Sequence, residues 1–252
     1  MSRHAPSLRP RFLWLVVPVA LIFLPGAGLS ASRIADMARI CLHSVGITSA
    51  APTNSTPAEN VQWPPGMGER YPDLLLNDQN GHPVRLSDFA GRVMLIELAA
   101  VPCKGCQAFS GGHQFGGFGG FDVQPDLESI HEYAERIAGV RLDSNDVVFV
   151  QILLYGSSMK NPTPDEVSEW ARHFQLRTTH NQLVLQGAAS LLGPETMQMI
   201  PGFHLVDDDF VLRSSSCGHS PQDNLYSDLL PTLRELIMKS KRESVDNLNR
   251  RG

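Results

Sequence analysis

Cys103-Lys104-Gly105-Cys106 constrains this chain more than any other stretch, because of what flanks it. Before it stands Val93–Ala99, an apolar run broken by a single carboxylate, Glu97. After it, Gln107-Ala108-Phe109 can open a helix. The apolar run reads as a buried strand, so the two sulfurs fall at a strand-to-helix junction. There the positive end of a helix stabilises a thiolate, the reactive form of cysteine. The pair therefore implies thiol–disulfide chemistry. Two competing readings are a structural bridge and half of a zinc site. A bridge over so short a loop stabilises little through chain entropy. Zinc would need two further ligands, and Cys217-Gly218-His219 offers them at no recognised finger spacing. No metal and no cofactor is expected.

The 252 residues have room for one large domain or two small ones, and 42% hydrophobic residues support a real core. A net charge of -5 with no Lys/Arg cluster speaks against a nucleic-acid partner. Four cysteines are too few for a disulfide framework. At the N-terminus, Arg3, Arg9 and Arg11 precede an uncharged stretch from Phe12 to Ser32, most apolar over Phe12–Leu24. Small residues follow at Pro25–Ala31. This fits either a cleaved signal peptide or an uncleaved membrane anchor, the anchor slightly ahead. No cysteine follows directly, so a lipid anchor is not expected. Basic residues before the stretch outnumber those after it, which puts the N-terminus in the cytoplasm. Both readings deliver the rest of the chain outside, to the periplasmic face of an inner membrane or free in the periplasm or medium.

The expected organisation is a leader or anchor at 1–32, a short helix and flexible linker at 33–65, a folded domain at 66–240 and a polar tail at 241–252. The short helix is expected over Arg33–Val45, and the tether after it is rich in Ala, Pro, Thr and Ser. Its Asn54-Ser55-Thr56 matches a glycosylation acceptor and is discounted. Leu74–Leu76 and Pro83–Leu86, joined through Asn80-Gly81, predict a β-hairpin. Helical spacing runs over Gln124–Ala138, with Leu127, Ile130, Tyr133 or Ala134, and Ile137 facing inward. Asp146–Leu154 predicts a second buried strand. Thr163-Pro164-Asp165-Glu166 predicts a capped helix start running to about Phe174. A short strand at Leu183–Leu185, a hairpin over Phe203–Leu212 and a closing helix over Leu225–Met238 complete the pattern. The alternation predicts an α/β sandwich. The glycine- and phenylalanine-rich stretch Gly111–Phe121 reads as a flexible surface loop in preference to an aromatic flap over the cysteines.

With these elements in place, the chain resembles the thioredoxin superfamily, in particular its exported redoxin-like branch. The hairpin, Asp88-Phe89-Ala90-Gly91-Arg92, the strand Val93–Ala99, Cys103–Cys106 and Met199-Ile200-Pro201-Gly202-Phe203 carry the resemblance. It implies a thioredoxin-like three-layer α/β sandwich with an N-terminal β-hairpin extension and an insertion after the CxxC helix. It also implies roles. Cys103 is the attacking and Cys106 the resolving half of a redox-active disulfide, and Ile200-Pro201 is a cis-proline loop that meets substrate. Glu97 is a buried acid that relays a proton for Cys106. The intervening dipeptide, Lys104-Gly105, lacks the family's common proline; the charge of Lys104 is expected to lower the Cys103 pKa, and Lys104 is expected to meet substrate. The alternatives for Glu97 are a sheet-edge position or an ion pair with Lys104 or an arginine. Pro102 stands where the family usually has Trp, which keeps open a degenerate fold with idle cysteines.

The implied partner is a protein carrying a disulfide or dithiol, with a membrane redox donor and membrane attachment through the N-terminal segment. Reduction of partner disulfides is the expected direction, with oxidation as the alternative. A Cu(I) metallochaperone with His204 or His219 as third ligand, and a thiol peroxidase, are the competing functions. The peroxidase is disfavoured by Ala100 three residues before Cys103, where a Thr or Ser would be needed. Cys217 is left as an additional redox thiol or a bystander with Cys41.

Overall fold

The computed structural model describes residues 62–219 and 221–250, all within the compact unit Thr56–Gly252. The leader or anchor expected over 1–32, the helix over Arg33–Val45, Cys41 and Asn54 lie outside the described residues. Among the described residues, no helix is long and apolar enough to cross a membrane.

The fold opens with the expected hairpin, β1 (Leu75–Asn77) antiparallel to β2 (Pro83–Arg85). Asp78 closes its turn by accepting from the backbone N–H groups of Asn80 and His82 at 2.8 and 2.9 Å. Five further strands form the main sheet. They are β3 (Met94–Ala100), β4 (Val148–Tyr155), β5 (Gln182–Gln186), β6 (Gly202–Val206) and β7 (Leu212–Cys217). Their spatial order is β5-β4-β3-β6-β7. The β3–β4 and β4–β5 pairs are parallel; β3–β6 and β6–β7 are antiparallel. Every residue of β3 and β4 is buried. Near-continuous apolar strands of this kind arise when layers cover both faces of a sheet.

The helices are α1 (Lys104–Phe109), α2 (Gly112–Phe115), α3 (Ile130–Tyr133, continued by a π turn over Ala134–Ala138), α4 (Pro164–His173), α5 (Pro194–Gln198) and α6 (Leu230–Asn249, entered through a π turn over Leu225–Leu229). One face of the sheet takes α1, α3 and α4. There Phe109 packs edge-on to Phe203 with ring centroids 4.9 Å apart, His131 packs on Phe149, and Trp170 meets Gln151. The opposite face is covered by the segment leading into the hairpin. Its Tyr71 hydroxyl hydrogen-bonds His204 Nδ1 at 3.0 Å, and Trp63 packs edge-on to the same imidazole. The result is a thioredoxin-like three-layer sandwich with a hairpin extension and an insertion after the CxxC helix. The α4 start behaves as its sequence indicates: Thr163 Oγ1 accepts from Glu166 N–H at 3.2 Å, and Glu166 Oε2 accepts from Thr163 N–H at 2.8 Å. A cap of this type stabilises a helix by about 1 kcal/mol.

Several local expectations need correction. The helix expected from Gln124 begins at Ile130, where Ser129 supplies a capping box with Glu132; residues 122–128 are irregular. The helix after the cysteines starts at Lys104 and not at Gln107. The strand predicted over Asp146–Leu154 is shifted to Val148–Tyr155. The linker does not run to residue 65 as a free tether, since Trp63 Nε1 donates to Thr196 Oγ1 at 3.0 Å. Residues 241–249 of the expected polar tail continue α6. The glycine-rich stretch is packed and not a bare surface loop. Gln107 Oε1 accepts from Phe118 N–H at 2.8 Å, and the Phe118 ring meets Trp170 edge-on at 5.5 Å. A Cβ on Gly117 would overlap the backbone of Phe121, so only glycine fits that crossing.

Candidate active site

Cys103 is the N-cap of α1: its backbone is extended, and its sulfur accepts from Cys106 N–H at 3.1 Å. The two cysteines are joined as a disulfide with Cα atoms 5.2 Å apart. Cys106 is wholly buried, whereas Cys103 is partly exposed. An incoming thiolate therefore has access to Cys103 and not to Cys106. This asymmetry follows from the helix, which turns the first cysteine outward at its cap and the third residue on toward the core.

Pro201 lies against the dithiol turn, after a cis Ile200–Pro201 peptide. A Cβ on Gly105 would sit 3.0 Å from Pro201 Cγ, so the glycine between the cysteines is what allows the ring to approach. Gly218 N–H donates to Met199 O at 3.1 Å and Pro201 O at 3.0 Å, tying this loop to the end of β7. Beside Pro201 opens a cavity of about 250 Å³ lined in part by Phe109, Leu127, Phe203, Tyr226 and His219. It is a largely apolar recess with a few polar groups on its rim, and it shares Pro201 with the dithiol turn.

Glu97 sits in the central strand and is fully buried. It is neither at a sheet edge nor paired with a cation. Its cross-strand partner is Gln151, whose Nε2 donates to Glu97 Oε2 at 2.6 Å and to Ser110 Oγ at 2.7 Å. Gln151 Oε1 in turn accepts from Trp170 Nε1 at 2.9 Å. Glu97 Oε1 has no hydrogen-bond partner. Burial pushes the Glu97 carboxyl up to about 8, against a smaller opposing effect of the Gln151 bond. At neutral pH the group is mostly a neutral acid, yet close enough to its midpoint to give or take a proton.

Lys104 is not a free cation beside the thiol. Its ammonium is 2.6 Å from Asp122 Oδ2, with both side chains exposed. The pair holds Asp122 below the usual carboxylate range and offsets the positive charge expected to act on Cys103. Of the two histidines considered as ligands, His219 lines the cleft by Pro201. His204 is buried on the opposite face of the sheet, bonded to Tyr71, and burial pushes it down to about 4. Cys217 is unpaired, and burial pushes its thiol up to about 11, which makes it a poor nucleophile at neutral pH. Ala100, three residues before Cys103, is buried and brings no hydroxyl to the site.

The structure thus brings together Cys103, Cys106, Lys104, Ile200 and Pro201 at one end of the sheet, with Glu97 beneath α1. It adds Gln151, Trp170, Ser110 and Asp122, which sequence reasoning missed. Gln151 had a legible signal. It is the lone polar residue in the apolar run Val147–Leu154, as Glu97 is in Val93–Ala99, and lone polar groups in adjacent buried strands seek each other.

No family model matches this chain, and no curated protein matches it. Solved structures do. The thioredoxin domain of a thiol-disulfide oxidoreductase from Bacteroides vulgatus is 13% identical, covers 67% of this chain and 98% of its own, and has a TM-score of 0.42. A SCO1/SenC family lipoprotein from Bacillus anthracis is 16% identical over 65% of this chain and 92% of its own, with a TM-score of 0.43. An uncharacterized thioredoxin-like protein from Porphyromonas gingivalis is 17% identical over 67% of this chain and 92% of its own, with a TM-score of 0.42. The activities named there are those proteins' own. The strand order, the hairpin extension and the disulfide at the start of α1 are this chain's own, and together they give it a thioredoxin-like fold.

Proposed function

We propose that this chain is a thiol–disulfide oxidoreductase that reduces disulfides of partner proteins outside the cytoplasm, held at a membrane or released there by its N-terminal segment. One observation carries the reading: a disulfide with a single exposed sulfur, Cys103, stands above a buried acid whose proton affinity is raised to near neutrality.

In the reduced protein, the Cys103 thiolate attacks one sulfur of a partner disulfide. That S–S bond breaks, a mixed disulfide forms, and the displaced partner sulfur leaves as a thiolate that takes a proton from water. Cys106 then gives its proton to the Glu97 carboxylate and attacks Cys103 Sγ. The second partner thiolate leaves, and two electrons have passed to the partner. The protein ends as the Cys103–Cys106 disulfide, and a donor dithiol reverses the sequence, with neutral Glu97 protonating the departing Cys106. Pro201 and the recess beside it support a role in seating the partner segment around its cysteine.

The test is exchange between the reduced full chain and glutathione disulfide, followed by thiol alkylation and mass measurement. Two-electron oxidation confined to Cys103 and Cys106, lost in Cys103→Ser and arrested as a mixed disulfide in Cys106→Ser, is the expected result. A reduced protein that neither exchanges nor forms an adduct overturns the proposal.

A further inference from the structure

The side-chain amide of Gln151 has three polar contacts, and the first dictates the other two. An indole N–H can only donate, and Trp170 Nε1 donates to Gln151 Oε1 at 2.9 Å. That contact assigns the oxygen end of the amide. The NH₂ end then faces the other way, toward Glu97 Oε2 at 2.6 Å and Ser110 Oγ at 2.7 Å. All four side chains are buried, so no water competes for these bonds. An amide held this way can donate to Glu97 but cannot accept from it. A proton on Glu97 Oε2 would weaken that oxygen as the acceptor of the Gln151 N–H. The carboxyl's other oxygen, Oε1, is buried and free of partners.

We infer that Trp170 and Gln151 form a positioning device that steers the transferable proton of Glu97 to Oε1, the oxygen left without a partner. The inference rests on the reading of Cys106 as the resolving cysteine. Its geometry is independent of that reading. Ser110 N–H donates to Cys106 O at 3.0 Å, which places Ser110 one turn beyond Cys106 on the buried side of α1. Gln151 reaches Ser110 while holding Glu97, so the acid lies under the helix face that carries Cys106.

The other titratable groups around this face are few. Cys106 comes from α1, and His131 and Tyr133 from α3, packed on Phe149 and Phe109. From α4, His173 packs on Phe118 and Phe174 and bonds Gly116 O, and β6 presents Phe203 while His204 and Tyr71 lie across the sheet. Burial and the Gln151 bond together set the proton affinity of Glu97.

The wild-type full chain provides the direct test. Carboxyl carbon NMR gives the Glu97 midpoint, and the Gln151 side-chain amide resonances are followed over the same pH range. Amide resonances that move with the Glu97 midpoint, and stay in slow exchange with solvent, are expected. Amide resonances that stay constant through that titration overturn the inference. Variants extend the test through kinetics. In a Cys41→Ser background, the mixed disulfide of Cys103 with thionitrobenzoate is prepared and its release by Cys106 is timed against pH. Gln151→Leu removes a hydrogen bond to the charged form and raises the midpoint by about one pH unit or more. Trp170→Phe lets the amide turn over and raises it by less. A folded Gln151→Leu protein with an unmoved midpoint also overturns the inference. A chain that forms no mixed disulfide at any pH refutes the functional reading instead, and the NMR titration still decides where the proton sits.

Discussion

Replacing Glu97 by glutamine removes a group whose protonation the fold controls, and the consequence for stability can be worked through. The folded midpoint is about 8 against an ordinary 4.5. Folding therefore binds the Glu97 proton more tightly than the unfolded chain does. The sign follows: stability from this group is complete below pH 4.5 and is lost as pH rises through 8. At about 1.4 kcal/mol per unit, the whole shift is on the order of 5 kcal/mol, and about 4 kcal/mol of it falls between pH 5 and pH 9. Urea denaturation of the oxidised protein at several pH values, with Glu97→Gln alongside, reads this out. Other groups titrate in both proteins and cancel. One is His204, depressed to about 4 by burial, which gives stability present above its ordinary 6.5 and lost on acidification. The wild type should lose about 4 kcal/mol relative to Glu97→Gln on going from pH 5 to pH 9. A gap between the two proteins that stays constant over that range would refute the assignment of Glu97 as a buried, high-affinity proton site.

Three further outcomes are expected. Trp63→Ala should cost about 2 kcal/mol in urea denaturation, because the indole is half-buried on His204 and hydrogen-bonded to Thr196; unchanged stability would return residues 62–65 to the linker. Gly117→Ala should cost about 1–3 kcal/mol through overlap with the Phe121 backbone, and a neutral result would mean that the segment around Phe118 is not packed as described. Asp122→Asn leaves the Lys104 ammonium unopposed beside Cys103. The pH midpoint of Cys103 alkylation in the reduced protein should fall, more at low than at high salt, and a midpoint that rises or ignores salt contradicts the pairing.

The sheet was legible where local pattern and environment coincide. Val93–Ala99 and the run ending at Leu154 are apolar without alternation because layers cover both faces, so they read as central strands in the sequence itself. The Thr163 helix start was legible because its cap bonds span three residues. Cys103 and Cys106 were legible from the strand-to-helix junction they occupy, whereas the roles of Glu97 and Pro201 came through a resemblance. The partners that define their surroundings were legible in neither way. Trp170 meets Gln151 from 19 residues away and Gln151 meets Glu97 from 54, distances that no periodicity encodes. The segment Gly111–Phe121 misled for a related reason. Its glycines were read as freedom, whereas Gly117 is there because another stretch of backbone passes too close for a side chain. Lys104 similarly looked like a lone cation until Asp122, 18 residues on, was placed beside it.

The sulfur of Cys103 performs at the start of α1 the service that a serine or aspartate oxygen performs elsewhere, receiving a backbone hydrogen at the helix entrance. A divalent sulfur keeps lone pairs whether it is bonded to Cys106, bonded to a stranger, or bare and anionic. The opening turn therefore retains its anchor at each stage of a redox cycle. Reduction of the pair would leave the helix entrance with an acceptor still in place.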